Sequence, residues 1–360
     1  MYIARNMKKR TFLKALLASG GMALTAQRPL QPTSPALTGS ASPAPASTTS
    51  TVPELVDSSA EEEIALGRLQ QSELHPQFVH HEHHDHDTTS EGVDTVAFEA
   101  DLTQASNPDE VQQVIEQASD GEVEEYLQKI RNFDANFHND IYLSEANSLL
   151  LLPTVQRLER VQTFVGHANF NLLSFEEMLY FARNYTDIGA FSRAELDFLD
   201  EIFHADATEY GFFGEKVTPE LNHRILQKDV IKIENSGHYL HRGESLRHFE
   251  LIRKDVGQQI QLTSGIRNNV KQTHLFLAKA LQSKGNLSKA SRSLAPPGHS
   301  FHNAGDFDVG KAGLGEQNFT GDFSNTEEYQ RLIRLGYVDI RYTDDNQFGV
   351  RFEPWHIKLA

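Results

Sequence analysis

None of the 360 residues is a cysteine. A chain without thiols has no disulfides, no thiolate metal site, no iron–sulfur cluster and no cysteine nucleophile. Its fold rests on hydrophobic packing, and any metal it holds takes His, Asp or Glu ligands. The formal net charge of −17 narrows the partners further. Nucleic-acid binders need a basic face that displaces counterions from phosphates, so no nucleic-acid partner is expected. Acidity otherwise speaks for solubility and names no substrate.

The length suits two domains, or one domain with a long tail. Four stretches differ in texture. Residues 1–26 read as an export signal: Lys8, Lys9 and Arg10, then a mildly apolar run from Phe12 to Ala26. Lys9-Arg10-Thr11-Phe12-Leu13-Lys14 resembles the twin-arginine export motif with lysine in place of the first arginine, which leaves the general secretory route open. The run is short for a bilayer, and no later stretch is apolar enough for one. No stable membrane span is therefore expected after signal removal, and the destination is the periplasm or another part of the cell envelope. Residues 27–96 read as a disordered spacer. Pro, Ser, Thr and Ala dominate its first half, and an acidic tract follows with His75, His80, His81, His83, His84 and His86. Such a tract buries no core, but its imidazoles can gather divalent ions loosely.

Residues 97–235 carry helical periodicity. Val111, Val114, Ile115 and Ala118 precede Gly121, which marks a break, and Val123, Tyr126, Leu127 and Ile130 follow it. A second set runs from Ser144 to Tyr185, and a third from Ser192 to His204, where Ser192 and Glu195 form a capping box. No active-site grouping stands out in this region. Residues 236–360 mix patterns. Helical spacing occupies Glu244–Val256 and Asn269–Lys284, with Gly285 as a cap. Short β-like runs occur at Ile260–Thr263, Tyr337–Tyr342 and Phe348–Phe352, the last two joined across Asp344-Asp345-Asn346 at hairpin distance. The expected fold class is α+β: a small antiparallel sheet with flanking helices, preceded by a mainly α-helical region and a disordered N-terminal tail.

The chemistry concentrates in residues 236–360. A catalytic zinc wants three protein ligands and one open position. His302, Asp308 and His356 supply two imidazoles and a carboxylate without any thiolate. Glu353 stands three residues before His356, a spacing that puts both side chains on one side of a helical turn. One can bind the ion while the other serves as general base toward its water. Pro354 can open such a turn.

Three motifs together resemble the zinc D-alanyl-D-alanine carboxypeptidases, the family of the vancomycin-resistance dipeptidases and some phage endolysins. They are Ser300-x-His302 with Gly305 and Asp308, then Glu353-x-Trp355-His356, and upstream Ser264-Gly265-Ile266-Arg267. The resemblance covers roughly residues 236–360. It implies one catalytic Zn2+ on His302, Asp308 and His356, with Glu353 as base. It also implies substrate contacts from Arg267, Ser264, Ser300 and Trp355, and peptidoglycan stem peptides as partners. The family places its Asp seven residues after the first His, whereas Asp308 is six after His302. Asp306 is therefore a rival ligand. Asp308 is preferred because it precedes the apolar Val309, and Asp306 could instead hold a ligand imidazole from behind. His299 should face away from His302 if the segment is extended. The activity implied is removal of a terminal D-Ala. A peptidoglycan endopeptidase is the alternative within the enzyme class. A non-catalytic zinc- or wall-binding envelope protein, working through the His-rich tract, is the alternative outside it.

Overall fold

The structure, a computed structural model, describes residues 120–359. The export signal, the spacer and the His-rich tract lie outside the described residues. The first described element is α1 (Asp120–Arg131), with Gly121 in its first turn. Next comes α2 (Glu145–Val165), capped by Ser144, whose hydroxyl accepts from the Asn147 N–H. Gly166, at φ 83°, ends it. The set expected to run to Tyr185 thus breaks into α2, the one-turn α3 (His167–Phe170) and α4 (Phe175–Asn184). Helix α5 (Arg193–His204) begins with the expected Ser192/Glu195 capping box. The same Glu195 carboxylate takes Arg157 of α2 at 3.0 Å, so one buried acid caps one helix and ties it to another.

A two-stranded hairpin follows, β1 (Val230–Lys232) against β2 (Tyr239–His241). Then come α6 (Glu244–Asp255), β3 (Ile260–Ser264), α7 (Asn269–Gln282), α8 (Leu287–Ser291), β4 (Phe307–Lys311), α9 (Glu327–Leu335) and β5 (His356–Ile357). Strands β3, β4 and β5 form one antiparallel sheet in that order. Gly285, at φ 84°, closes the end of α7 by donating to the Ala280 carbonyl at 2.8 Å. The fold is α+β, with a small antiparallel sheet and flanking helices.

The strands differ from the sequence expectation in two respects. Residues 337–352 form no hairpin; they are irregular. Asn346 does the work of a ladder there. Its amide donates to the carbonyls of Thr343 and Val350, each at 2.6 Å, and its oxygen accepts the Phe348 N–H at 3.0 Å. With those groups satisfied locally, no strand pairing is required. Sequence periodicity did not reveal the short β1, β2 and β5, nor the longer β4. Strand β4 is central and its first four residues are buried, so it shows no in/out alternation.

Two large hydrophobic clusters and a small one around Leu172, Val230 and Ile266 hold the described residues. The first joins Leu151, Val155, Leu158, Phe198 and Ile202 of the helical region to Phe276, Leu277 and Ala280 of α7 and Ala290 of α8. The second lies wholly in the C-terminal part: Phe249 and Ile252 of α6, Leu262, Phe307, Val309 and Ile357 of the sheet, and Leu332 and Trp355. Asn268 adds polar stitching, donating from its amide to the carbonyls of Leu172, Leu173 and His223 at 3.1–3.3 Å. The 235/236 division thus marks where the motifs begin, while the packing runs across it.

Candidate metal centre

The sheet register brings the motifs together. Asp308 in central β4 is opposite Ser264 in β3 on one side and His356 in β5 on the other. A register shift between Leu262 and Ser264 accompanies the turn of the chain toward Arg267. Gly265 sits where β3 meets β2. A Cβ there would lie 2.1 Å from the Tyr239 carbonyl oxygen, so only glycine fits. That close approach frees the Gly265 carbonyl to face the centre.

His302 stands on a short 3-10 turn, Phe301–Asn303. Its Nδ1 is 2.7 Å from the Gly265 carbonyl oxygen. A carbonyl only accepts, so Nδ1 carries the proton and Nε2 presents a lone pair inward. His356 is held the opposite way round. Its Nε2 is 2.9 Å from Asp306 Oδ2, leaving Nδ1 to face inward. Asp308 Oδ1 lies 3.3 Å from His302 Nε2 and 3.1 Å from His356 Nδ1. Those three atoms are buried and have no hydrogen-bond partner. His302, Asp308 and His356 offer ligand atoms that all lie within 4.8 Å of one another. Three orphaned buried atoms that converge in this way suit a cation.

Electrostatics agree. Burial alone would raise the Asp308 carboxyl, but the His302 and His356 imidazoles hold it well below the usual carboxylate range. Burial, assisted by Arg267, pushes His302 down to about 4, so its imidazole is neutral at neutral pH. For His356 burial acts downward too, yet Asp306 and Asp308 outweigh it and raise the ring to about 9. The two aspartates therefore favour positive charge at His356.

Asp306 does not join the cluster. Besides His356 it takes Arg341 Nε at 2.9 Å on Oδ2 and the Leu359 N–H at 2.8 Å on Oδ1. It precedes β4 rather than lying in it, and the two aspartates face opposite nitrogens of one imidazole. Arg341 itself lies over the Phe301 ring at 3.4 Å.

Glu353 and His356 sit on a β-turn, not the expected helical turn. The His356 N–H donates to the Glu353 carbonyl at 3.2 Å, and the Glu353 N–H to Tyr342 at 3.0 Å. The spacing still serves, because Glu353 Oε2 comes within 3.9 Å of His356 Nδ1. Burial raises the Glu353 carboxyl to about 7, with Arg351 and His356 opposing.

The other expected residues fall as follows. Arg267 Nη2 is 3.5 Å from Asp308 Oδ2, and its Nε is buried without a partner. Ser264 and Ser300 are buried beside Asp308 and His302 in the chain and sheet. Trp355 lies in the second hydrophobic cluster, its ring 6.2 Å from that of Phe319. His299 turns away, its Nδ1 at 3.0 Å from the Gly214 carbonyl oxygen. Sequence reasoning missed Arg341, Arg351 and Tyr342, whose ring stands 5.0 Å from that of His356. All three come from the irregular segment before Glu353, where no short motif marks them.

Comparison with known proteins converges on the same region. Residues 241–360 match the family model VanY, D-alanyl-D-alanine carboxypeptidase. That third of the chain is similar to the VanY-type peptidases, and it contains every residue of the cluster. No curated protein matches the chain. Among solved structures, one match is a variant of the vancomycin-resistance D,D-pentapeptidase VanY from a VanB-type cassette, in complex with Zn(II). It is 24% identical, covers 35% of this chain and 75% of that one, and has a TM-score of 0.29. A second is the LdcB LD-carboxypeptidase, at 19% identity, with 37% and 69% of the two chains covered and a TM-score of 0.32. A third is VanYB in complex with D-alanine-D-alanine, at 24% identity, with 35% and 74% of the two chains covered and a TM-score of 0.29.

Proposed function

We propose that the chain is a zinc-dependent peptidase of peptidoglycan stem peptides in the cell envelope, acting most simply as a D-alanyl-D-alanine carboxypeptidase. The observation that carries this reading is the convergence of three buried, unpartnered ligand atoms beside a buried glutamate. The family match over residues 241–360 supports the substrate class.

His302 through Nε2, His356 through Nδ1 and Asp308 through its carboxylate hold the ion, a donor set without thiolate that suits zinc. When bound, zinc supplies a Lewis acid that acidifies water and polarises the scissile carbonyl. Glu353 takes the proton of the attacking water on its carboxylate and passes it to the leaving amine. A carboxyl near neutrality can do both. Arg267 grips the terminal carboxylate or the developing oxyanion through its free Nε. Ser264 and Ser300 offer hydroxyls to the substrate. Trp355 stiffens the turn that carries Glu353 and His356. Asp306 holds His356 by its outer nitrogen, which fixes ring orientation and basicity. Export through the N-terminal signal would bring the site to its substrate. Among the described residues no helix is long and apolar enough to cross a membrane.

The test is incubation of zinc-loaded protein with intact peptidoglycan fragments, read by mass. Loss of one alanine from pentapeptide stems is expected. Cuts inside the stem or at crosslinks would make it an endopeptidase, and unchanged fragments would refute the reading.

A further inference from the structure

Arg351 is the side chain whose state the metal centre leaves unexplained. Its Nε lies 3.8 Å from Glu353 Oε1, is buried, and donates no hydrogen bond. The guanidinium is clamped between two aromatic rings, 4.8 Å from the centre of Phe133 and 4.9 Å from that of Trp355. Trp355 belongs to the same turn as Glu353. Phe133 does not: it lies in the strap after α1, far outside the segment that matches the peptidase family.

The strap is firmly tied. Arg292 donates to the carbonyls of Phe133 at 3.2 Å and Ala135 at 2.9 Å. It also grips both carboxylate oxygens of Asp140, at 2.7 and 3.1 Å. The carbonyl of Arg292 in turn accepts the backbone N–H of Arg351 at 2.9 Å. One residue thus fixes both the strap carrying Phe133 and the chain at Arg351. A guanidinium stacked on ring faces keeps its charge and gives up side-chain freedom. Leaving the Nε of such a group buried without a hydrogen bond is costly, and the carboxylate beside it is that of Glu353.

We propose that Arg351 is a positioning residue for Glu353, locked by Phe133, so that the helical region completes the active site. This rests on the reading of Glu353 as the base. The arrangement keeps the Glu353 carboxylate turned toward the edge of His356 while its backbone turn is fixed.

The experiment uses the full chain, zinc-loaded, with a synthetic pentapeptide stem ending in D-Ala-D-Ala. Arg351→Met should lower kcat on the order of tenfold with KM nearly unchanged, and Arg351→Lys should restore part of the loss. Phe133→Ala should move kcat the same way, while Phe133→Tyr should stay near wild type. In a Glu353→Gln background, Arg351→Met should add little, because both changes act through one group. An unchanged kcat, a rise in KM alone, or fully additive losses would overturn the proposal. Normal turnover by Glu353→Gln alone would instead remove the base assignment. Crystal structures of zinc-loaded Arg351→Met and Phe133→Ala decide positioning whatever the substrate is. A Glu353 carboxylate swung away from His356 supports the proposal, and one left in place overturns it.

Discussion

At the scale of residues, the centre works by giving each imidazole one outer partner and one free inner nitrogen. Gly265 holds His302 at Nδ1, and Asp306 holds His356 at Nε2. The two aspartates therefore differ in duty although they are two positions apart. After dialysis, Asp308→Ala should lose its zinc. Asp306→Ala should keep a site, with affinity weakened roughly ten- to a hundredfold. Zinc content measured on both variants decides, and an empty Asp306→Ala beside a filled Asp308→Ala would reverse the assignment. The glutamate makes a second prediction. Its carboxyl sits at about 7 in the folded protein, against an ordinary value of 4.5. Stability from such a group is full below the ordinary value and is lost as pH rises through about 7, where a buried carboxyl must ionise. Metal-free Glu353→Gln should thus melt above metal-free wild type at pH 8 and level with it at pH 4. Thermal melts at both pH values check this, and an equal gap at both would contradict it. The candidate ligand residues were legible in the sequence because each stands in a short motif. Arg341, Arg351 and Tyr342 were not, because their contacts arise only when residues 337–352 fold back onto the sheet.

At the scale of elements, the sheet is the device that aligns the motifs. Ser264, Asp308 and His356 become neighbours through antiparallel register across β3, β4 and β5. The glycine between Ser264 and Ile266 lets β3 lie against β2, where the Ile266 N–H donates to Tyr239 at 2.8 Å. Gly265→Ala would put a methyl carbon 2.1 Å from that carbonyl oxygen. It should destabilise the protein by about 1–3 kcal/mol or more, as overpacking does, and weaken zinc binding by displacing the carbonyl that orients His302. Denaturant melts and zinc titration check this; a variant that matches wild type in both would contradict it. Helices α6 and α7 and the Ser192 cap were readable from periodicity and cap chemistry. Strand β4 was hidden because burial on both faces removes alternation. The false hairpin at 337–352 looked like strand because apolar residues cluster there, of which Tyr342 and Val350 are buried, yet Asn346 satisfies the backbone that a ladder would have paired.

At the scale of the whole molecule, the motifs occupy one third of the chain while the core does not stop at their boundary. Residues 236–360 alone would expose the faces of Phe276, Leu277, Ala280 and Ala290 that pack into the helical region, where α7 meets α2 and α4. Burying such side chains is worth about 1.5–3 kcal/mol each for the large ones, comparable in sum to the stability of a domain. The fragment expressed by itself should therefore be unfolded or aggregated. Circular dichroism and gel filtration would show it, and a folded, monomeric fragment would mean that the helical region merely accompanies the catalytic part. The shared core was not legible, because helical periodicity tells which face is apolar and not which partner covers it. The most direct measurement compares turnover of wild type and Glu353→Gln on a stem pentapeptide ending in D-Ala-D-Ala, with zinc quantified in the same samples. Equal zinc with turnover lower by on the order of a hundredfold or more is predicted for the variant. Equal zinc with near-normal turnover would contradict the peptidase centre described for His302, Asp308, His356 and Glu353.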